Sequence, residues 1–356
     1  MATQQAKIPA KNFRALIRGI LKFRPSAAAP TSQIVNFSVN NGRARASIGG
    51  GQGTVITTGA VLATREVEPF GAYYSHLESY ANLLPDEGDV ELSRTDGDVL
   101  FLCGPKRRLK LALTPGIVIP RPKVPEPFFV ADEETAKMLK WLVSVAEKDE
   151  TKPDMCCVYL RNGSAMAGNQ KCIAVVKHER LPDVELPLPL AVCNVLEPGD
   201  KLARTDKGLL LVSGGCVSQI PYLIQTLHFP VGTIDRLDNA KAENYGHSTG
   251  DAMRVVFKES ADCVARVPGA QACVVLTFGK DGIQARAQSQ NAAFRTVLDG
   301  TVEKDGELWL ELPEAEEALD LFANGDVFCK KLLPKGEAML EGNGAKAFFA
   351  PVHPIG

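Results

Sequence analysis

Ile34-Val-Asn-Phe-Ser-Val-Asn-Asn-Gly-Arg-Ala-Arg-Ala46 is the first of three stretches that share one pattern. The others are Cys157-Val-Tyr-Leu-Arg-Asn-Gly-Ser-Ala-Met-Ala167 and Cys273-Val-Val-Leu-Thr-Phe-Gly-Lys-Asp-Gly-Ile-Gln-Ala-Arg-Ala287. In each, an apolar strand leads to Asn-Gly or Asp-Gly, a pair that favours a tight turn between antiparallel strands, and small residues then alternate along a second strand. Each stretch therefore predicts a β-hairpin.

Two markers recur along the chain at a spacing of about 120 residues. One is the turn glycine, which is Gly42, Gly163 or Gly282 in the three stretches. The other is a Gly-Asp pair that closes an apolar run, as glycine often ends a helix; its copies are Leu84–Asp89, Leu196–Asp200 and Leu321–Asp326. This recurrence predicts three repeated α+β domains, 1–120, 121–236 and 237–356, with connectors at Pro115–Pro127 and Phe229–Asn239.

The composition is that of an ordinary globular protein. Of 356 residues, 45% are hydrophobic and 23% are charged. The nine cysteines contain no Cys-x-x-Cys pair and lie mostly in apolar runs, which predicts buried thiols in a reducing compartment rather than a metal site. No apolar run reaches membrane-spanning length, and the first ten residues lack the apolar core of a secretory signal. We therefore expect a cytoplasmic protein without cofactor, metal or membrane partner.

The first helix of each predicted repeat carries a basic row beside its apolar face. The apolar faces follow helical spacing; they are Phe13, Leu16, Ile17, Ile20 and Leu21, then Met138, Leu139, Leu142, Val145 and Ala146, then Met253, Val256, Phe257, Val264 and Val267. The basic rows are Arg14, Arg18 and Lys22 in the first helix, Lys137, Lys140 and Lys148 in the second, and Arg254, Lys258 and Arg266 in the third. Asp262 interrupts the third row.

These rows allow two interpretations. Lysine and arginine keep any helix soluble, and for one helix that explanation is sufficient. The whole chain, however, has a net charge of −2, so basic rows on three equivalent helices predict a common anionic partner. Side chains at this spacing contact phosphates rather than base edges, which predicts salt-sensitive, sequence-independent contact with double-stranded DNA. The acidic stretch Pro313–Asp320 argues against this interpretation unless its charged face turns away from DNA.

The chain resembles the bacterial DNA polymerase sliding clamp, the beta subunit of the replicative polymerase holoenzyme, and its phage and plasmid relatives. The resemblance covers nearly the whole chain. It rests on the three α+β repeats and on four local stretches: Asn12-Phe-Arg-Ala-Leu with Arg24-Pro25, Leu84-Pro-Asp-Glu-Gly-Asp89 through Leu113-Thr-Pro115, His228-Phe-Pro230, and Phe348-Phe-Ala-Pro-Val352.

The resemblance implies a head-to-tail homodimer whose six domains close into a ring, with helices inside and antiparallel sheets outside. Such a ring encircles DNA and slides along it without a catalytic step. Arg24 joins the DNA-binding residues by similarity. The implied subunit contacts are Leu109 and Leu111, on an edge strand that must be paired or protected, and Val264 and Val267 in the third domain.

Sliding clamps also imply a pocket between domains 2 and 3 that captures an apolar anchor of DNA polymerase, the clamp loader and other clients with a clamp-binding motif. Carried over by position, its members are Gly168, Gln170, Lys171, Ile173, Pro230, Ile234, Phe348, Ala350, Pro351 and Val352. Plain core packing is the alternative for each apolar member. The family has Thr-Asp-Gly-His-Arg-Leu-Ala where this chain has Gly168-Asn-Gln-Lys-Cys-Ile-Ala174, so we expect an altered client consensus and a divergent, phage-like origin.

Two hypotheses from other classes stay open. One is an enzyme with a site at a domain junction, and the other is a three-repeat scaffold that does not bind DNA. The stretch Gly49–Thr54 lacks the Gly-Lys-Ser/Thr ending of a phosphate loop, and the stretch Ser213-Gly-Gly-Cys216 lacks the Gly-x-Ser-x-Gly pattern of a nucleophile elbow. The sequence therefore favours a protein that is not an enzyme.

Overall fold

The structure is a computed structural model that describes residues 4–21, 34–49, 55–58, 61–64, 66–95, 99–104, 106–149, 151–221, 228–264, 272–290, 292–322 and 325–352. The chain forms two compact units. The first consists of Met1–Asp132 and Glu197–Tyr222, and the second of Glu133–Leu196 and Leu223–Gly356. The division into three domains stays a prediction.

Seven α-helices lie within the described ranges. They are α1 (Ala10–Leu21), α2 (Tyr74–Leu83), α3 (Glu133–Val145), α4 (Leu190–Val195), α5 (Val231–Asp238), α6 (Gly250–Val264) and α7 (Leu312–Leu319). Helix α1 packs against α2, α3 against α4, and α6 against α7. One such pair therefore accompanies each sequence repeat. None of these helices is long and apolar enough to cross a membrane.

The strands from the first part of the chain are β1 (Gln4–Pro9), β2 (Ile34–Asn40), β3 (Arg43–Gly49), β4 (Val55–Thr57), β5 (Val61–Leu62), β6 (Val67–Tyr73), β7 (Asp89–Thr95), β8 (Val99–Gly104), β9 (Arg107–Ala112), β10 (Thr114–Pro115) and β11 (Phe129–Val130). The next are β12 (Cys157–Arg161), β13 (Ser164–Gly168), β14 (Cys172–Lys177), β15 (Leu186–Pro189), β16 (Lys201–Thr205), β17 (Gly208–Ser213) and β18 (Cys216–Ile220). The last are β19 (Lys241–Thr249), β20 (Cys273–Gly279), β21 (Gly282–Gln288), β22 (Ala293–Leu298), β23 (Gly300–Val302), β24 (Gly306–Glu311), β25 (Asp326–Leu333), β26 (Ala338–Gly342) and β27 (Ala345–Phe349).

Each unit contains one large and one small antiparallel sheet. In the first unit the orders are β10-β6-β2-β3-β4-β18-β17-β16-β11, with β5 paired to β3, and β1-β7-β8-β9. In the second unit they are β15-β12-β13-β14-β27-β26-β25-β19-β23 and β22-β21-β20-β24. The pairing of β14 with β27 joins strands from the second and third sequence repeats in one sheet.

The three predicted hairpins are confirmed as β2–β3, β12–β13 and β20–β21. The first two turn at Asn41-Gly42 and Asn162-Gly163, where both residues of each pair have the positive φ that a tight hairpin turn requires. The third turns one residue earlier than predicted, because Gly279 pairs with Gly282 and leaves Lys280 and Asp281 in the loop.

The predicted apolar faces pack as cores. On α1, Phe13 stacks on Phe37 at 5.9 Å between ring centroids, and Phe37 stacks on Phe70 at 5.4 Å. On α3 the predicted apolar residues are all buried, and the Trp141 ring meets Phe322 edge-on at 6.4 Å. The described members of the α6 face are buried as well.

Two sequence predictions are corrected by the fold. Helix α3 ends at Val145, so Lys148 does not continue the row of Lys140. Beyond the helix, the Glu147 amide donates to the Gly168 carbonyl at 2.9 Å instead of continuing the helical hydrogen bonds. The connector predicted at Phe229–Asn239 contains a helix, α5, whose Ile234 and Leu237 are buried.

Candidate binding pocket and basic helix surfaces

A cavity of about 230 Å³ lies within the second unit, where β14 pairs with β27 and α5 packs on that pair. Ile173 stands directly opposite Phe348 in the sheet, so both side chains project to one face. Six residues of the predicted peptide pocket line the cavity: Gln170, Lys171, Ile173, Phe348, Ala350 and Pro351. The structure therefore brings together residues from both chain segments of the second unit.

Four other predicted members do not line this cavity. Gly168 is buried where β13 pairs with β14, and its carbonyl accepts the Glu147 amide. Ile234 belongs to the core beneath α5, and Pro230 precedes the first turn of that helix. Val352 follows the lining residue Pro351 and is half-buried.

Seven lining residues were missed by the sequence analysis, namely Asn169, Cys172, Thr233, Arg236, Leu237, Glu337 and Phe349. Three of them lie on α5, which the sequence analysis had treated as a connector. The apolar spacing of Val231, Ile234 and Leu237 is the signal that identifies this helix. Glu337 is distant in sequence and carries no motif, so no local signal identifies it.

The turn between β13 and β14 is shaped by Asn169. Its side-chain oxygen accepts the amides of Lys171 at 2.8 Å and Cys172 at 2.9 Å. The Lys171 carbonyl in turn accepts the Ala350 amide at 2.8 Å, which fixes the chain that follows β27. One tight turn therefore positions two walls of the cavity.

Ion pairs hold α5 on the sheet. Asp235 accepts from Arg161 at 3.1 Å, and Arg236 donates to Glu337 at 3.1 Å. Beyond them, Asp238 accepts from Lys177 at 2.8 Å and from Lys346 at 2.6 Å. Burial alone would raise the pKa of Asp238, but the two lysine hydrogen bonds outweigh it and lower that pKa.

The rim of the cavity carries paired charges, and its floor is apolar. The side chains of Lys171 and Arg236 are 48% and 45% exposed. Lys171 pairs with Glu311 and, at 3.2 Å, with Glu314. Burial favours a lower pKa for Lys171, but these two carboxylates raise it, so the side chain stays charged. Burial raises the pKa of the Cys172 thiol, because it disfavours the charged thiolate.

Some of the predicted DNA-binding residues have exposed side chains, and others bind groups of the protein itself. Arg18, Lys137, Lys140 and Lys258 are exposed on α1, α3 and α6. Lys148 is also exposed, beyond the end of α3, and forms an ion pair with Glu317 at 3.6 Å. Lys22, Arg24, Arg266 and the contact residue Val267 lie outside the described residues.

Arg14 and Arg254 have a structural role that the sequence analysis missed. Each is the fifth residue of its helix and reaches the end of the helix packed beside it. Arg14 donates to the Leu84 carbonyl and to the Asp86 carboxylate, the latter at 2.5 Å. Arg254 donates to the Asp320 carbonyl at 3.2 Å. Each cation therefore stabilises the carboxyl end of a helix, where the backbone dipole is negative.

Similarity to solved structures identifies the fold. The DNA polymerase sliding clamp from Bacillus subtilis matches with a TM-score of 0.81 at 12% identity, over 99% of this chain and 100% of that one. The beta subunit of the DNA polymerase of Streptococcus pyogenes matches with 0.80 at 16% identity, over 98% and 100%. The sliding clamp from Caulobacter crescentus matches with 0.79 at 15% identity, over 99% and 100%.

This chain has the sliding-clamp fold. The predicted α+β class and the resemblance to a divergent clamp are thereby confirmed. No protein-family sequence model matches the chain, and no curated protein matches it in sequence. Closure of two copies into a ring stays a prediction.

The residues predicted at the clamp's subunit contacts lie as follows. Strand β9 is the last strand of its four-stranded sheet within the described ranges, as expected of an edge. Leu111 is buried and Leu109 half-buried against the core of their own unit, and Val264 is buried on α6. What β9 presents outward is therefore its backbone edge and its basic side chains, and a role in dimerisation stays a prediction.

We predict that Asp238→Asn lowers the free energy of unfolding by about 1 kcal/mol at pH 7, because two lysines lose their carboxylate partner. The pKa of Asp238 is lowered by folding, so its contribution exists above the unfolded pKa near 3.8 and is lost as the pH falls through the folded value. The difference between the two proteins should therefore be constant around neutral pH and shrink as the pH falls below about 4. Urea unfolding across pH checks this, with exposed Asp183→Asn as the unchanged control; a difference that does not shrink at acidic pH would contradict it.

Proposed function

We propose that this protein is a processivity factor, a sliding clamp that encircles double-stranded DNA as a homodimer and tethers DNA polymerase and other clients. The likeness of fold to bacterial clamps over 98–99% of the chain is the observation that carries this proposal. Its action needs no catalytic residue, since the ring holds DNA by enclosing it. The clamp loader is the further partner that such a ring requires.

The exposed cations on α1, α3 and α6 support contact with DNA. Arg18, Lys137, Lys140 and Lys258 present positive charge on three helices that recur along the chain, although the net charge of the chain is −2. Contacts of this kind neutralise phosphates without reading sequence. On the acidic α7, burial raises the pKa of Glu316 and Glu317, and the negative charge of neighbouring carboxylates adds to the shift.

The cavity beside α5 supports capture of a client peptide. Its apolar floor of Ile173, Leu237 and Phe348 suits one or two large apolar side chains, and its charged rim suits a polar peptide backbone. The altered turn at Asn169-Gln170-Lys171 places a lysine at the rim, which supports a client preference of this chain's own. No described feature favours an enzyme or a scaffold without DNA over this proposal.

If the protein encloses DNA, its retention on the DNA depends on whether the DNA is circular or linear. When the protein is concentrated from its monomeric range in the presence of nicked circular plasmid, we expect rings to close around the DNA and to co-elute with it in gel filtration at high salt. Linearising the plasmid should release them, because rings slide off free ends. Native mass should be about twice that of one chain. Equal retention on circular and linear DNA would show that enclosure is not the mechanism.

We predict that replacing Arg18, Lys137, Lys140 and Lys258 together by glutamine weakens binding to a short duplex and flattens its salt dependence. The slope of log affinity against log salt should become shallower by up to about one unit for each phosphate that the variant no longer neutralises. Fluorescence anisotropy between low and moderate salt measures it. The matched control replaces exposed Lys123, Lys207, Lys280 and Lys335 by glutamine, with the same change of charge. An identical slope in both variants argues against the helix surfaces.

We predict that Ile173→Asp reduces the affinity for a fluorescent peptide with an adjacent leucine and phenylalanine by at least about tenfold. The substitution places an unpaired carboxylate on the apolar floor, where nothing compensates the loss of its hydration. Val130→Asp, at an exposed apolar residue in the first unit, should leave the affinity unchanged. Equal binding by wild type and Ile173→Asp would remove this cavity from the proposal.

A further inference from the structure

A second cavity, of about 590 Å³, lies on the same face of the nine-stranded sheet. We call it the lysine groove. Three lysines line it, Lys177 on β14, Lys330 on β25 and Lys346 on β27, together with Glu341 and the turn between β26 and β27. Residues paired across two strands project to the same face of a sheet. The pairs Glu341–Lys346 and Met339–Phe348 therefore place the groove on the same side of the sheet as the cavity beside α5, which we call the client pocket.

Lysines and carboxylates alternate along the groove in one series of ion pairs. Lys177 and Lys346 share Asp238, and Lys346 lies 3.8 Å from Glu341, which also accepts from Lys330. Each carboxylate in the series is bound by two lysines. Lys177 and Lys330, at the two ends, each pair with one carboxylate within the described residues. The series therefore ends in a cation on both sides and carries one positive charge in excess.

The lysines also have hydrogen-bond donors to spare. Each ammonium group has three N–H donors. The described contacts give Lys177 and Lys330 one acceptor each, and both side chains line the open groove. The side chains of Lys330 and Lys346 are 24% and 25% exposed, so their charges are less screened than those of fully exposed side chains. A carboxylate from a ligand would add one more ion pair to the series, at Lys177 or at Lys330.

The groove adjoins the client pocket. Ile173 in the pocket and Lys177 in the groove are four residues apart on β14, a distance of about 13 Å along an extended strand. Helix α5 separates the two, because Leu237 lines the pocket and the next residue, Asp238, binds the lysines of the groove. About four extended residues of a peptide span the same distance.

We propose that the lysine groove binds an acidic segment of the same client whose apolar anchor occupies the pocket. This inference rests on the proposed function, since it assigns a second contact to the same clients. The occupant is a peptide segment with carboxylates about four residues from its apolar anchor. A carboxylate is the favoured ligand because two of them, Asp238 and Glu341, already occupy equivalent positions between the lysines.

Three fluorescent peptides test this on the full-length protein. Each carries adjacent leucine and phenylalanine and a four-residue Gly-Ser spacer, followed by Glu-Glu, Gln-Gln or Lys-Lys; a second set has the charged pair on the amino side. For one of the two directions we expect Glu-Glu to bind about three- to tenfold more tightly than Gln-Gln, with Lys-Lys weakest. The advantage should shrink as salt rises.

The groove variants are Lys330→Gln and the double variant Lys177→Gln with Lys330→Gln. Both should lose the preference for Glu-Glu, measured as the ratio of the affinities for the Glu-Glu and Gln-Gln peptides. Lys330→Gln, which leaves the ion pairs of α5 in place, should bind the Gln-Gln peptide as tightly as wild type, which shows that the pocket is intact. Lys335→Gln, an exposed lysine that lines neither cavity, is the matched control and should keep the full preference. Thermal unfolding confirms that each variant is folded.

The outcomes separate this inference from the function on which it rests. If Glu-Glu and Gln-Gln peptides bind wild type equally, the groove proposal is wrong and the pocket stands. If the preference persists in the double variant, acidic segments bind elsewhere and the groove proposal is again wrong. If none of the peptides binds, the proposed client pocket is itself refuted, and the groove proposal falls with it.

Discussion

The register between β14 and β27 is the constraint on which the described sites depend. It sets Ile173 opposite Phe348 and Val175 opposite Lys346, so that apolar and basic side chains from distant parts of the sequence reach one face of one sheet. Side chains alternate along a strand, and a slip by one residue would send every one of them to the other face. The pocket and the lysine groove would then both disappear. Ten backbone positions thus determine where the two candidate binding surfaces form.

Helix α5 divides that face into two surfaces. Its apolar side covers the core that contains Met339 and Phe348, and its charged residues bind partners at three separate places on the sheet. Ion pairs of this kind add little stability when exposed, but they fix geometry where several act on one short element. An eight-residue helix is marginal by itself, so its position depends on these tertiary contacts. The walls that it contributes to the pocket depend on them equally.

Sequence reasoning was successful where the determinants are local. The turns at Asn41-Gly42 and Asn162-Gly163 follow from residues that adopt positive φ, and the buried faces of α1, α3 and α6 follow from helical spacing. It failed where distant residues decide the outcome. Just beyond the end of α3, the Glu147 amide donates to the carbonyl of Gly168, which lies on a strand distant from the helix in sequence. The structural role of Arg14 depends on a carbonyl about seventy residues away, and no local pattern predicts it.

The pocket residues likewise divide into those that a local pattern predicts and those that depend on distant partners. A resemblance carried over by position found Gln170, Lys171, Ile173 and the stretch after β27, because these lie in recognisable places beside paired strands. It could not find Arg236 or Glu337, since neither belongs to a motif and each is positioned by the other. At 12–16% identity this chain keeps the fold of the solved clamps. Fold is maintained by many small apolar contacts that tolerate exchange. The client specificity proposed here depends instead on a few charged side chains, whose partners belong to this chain.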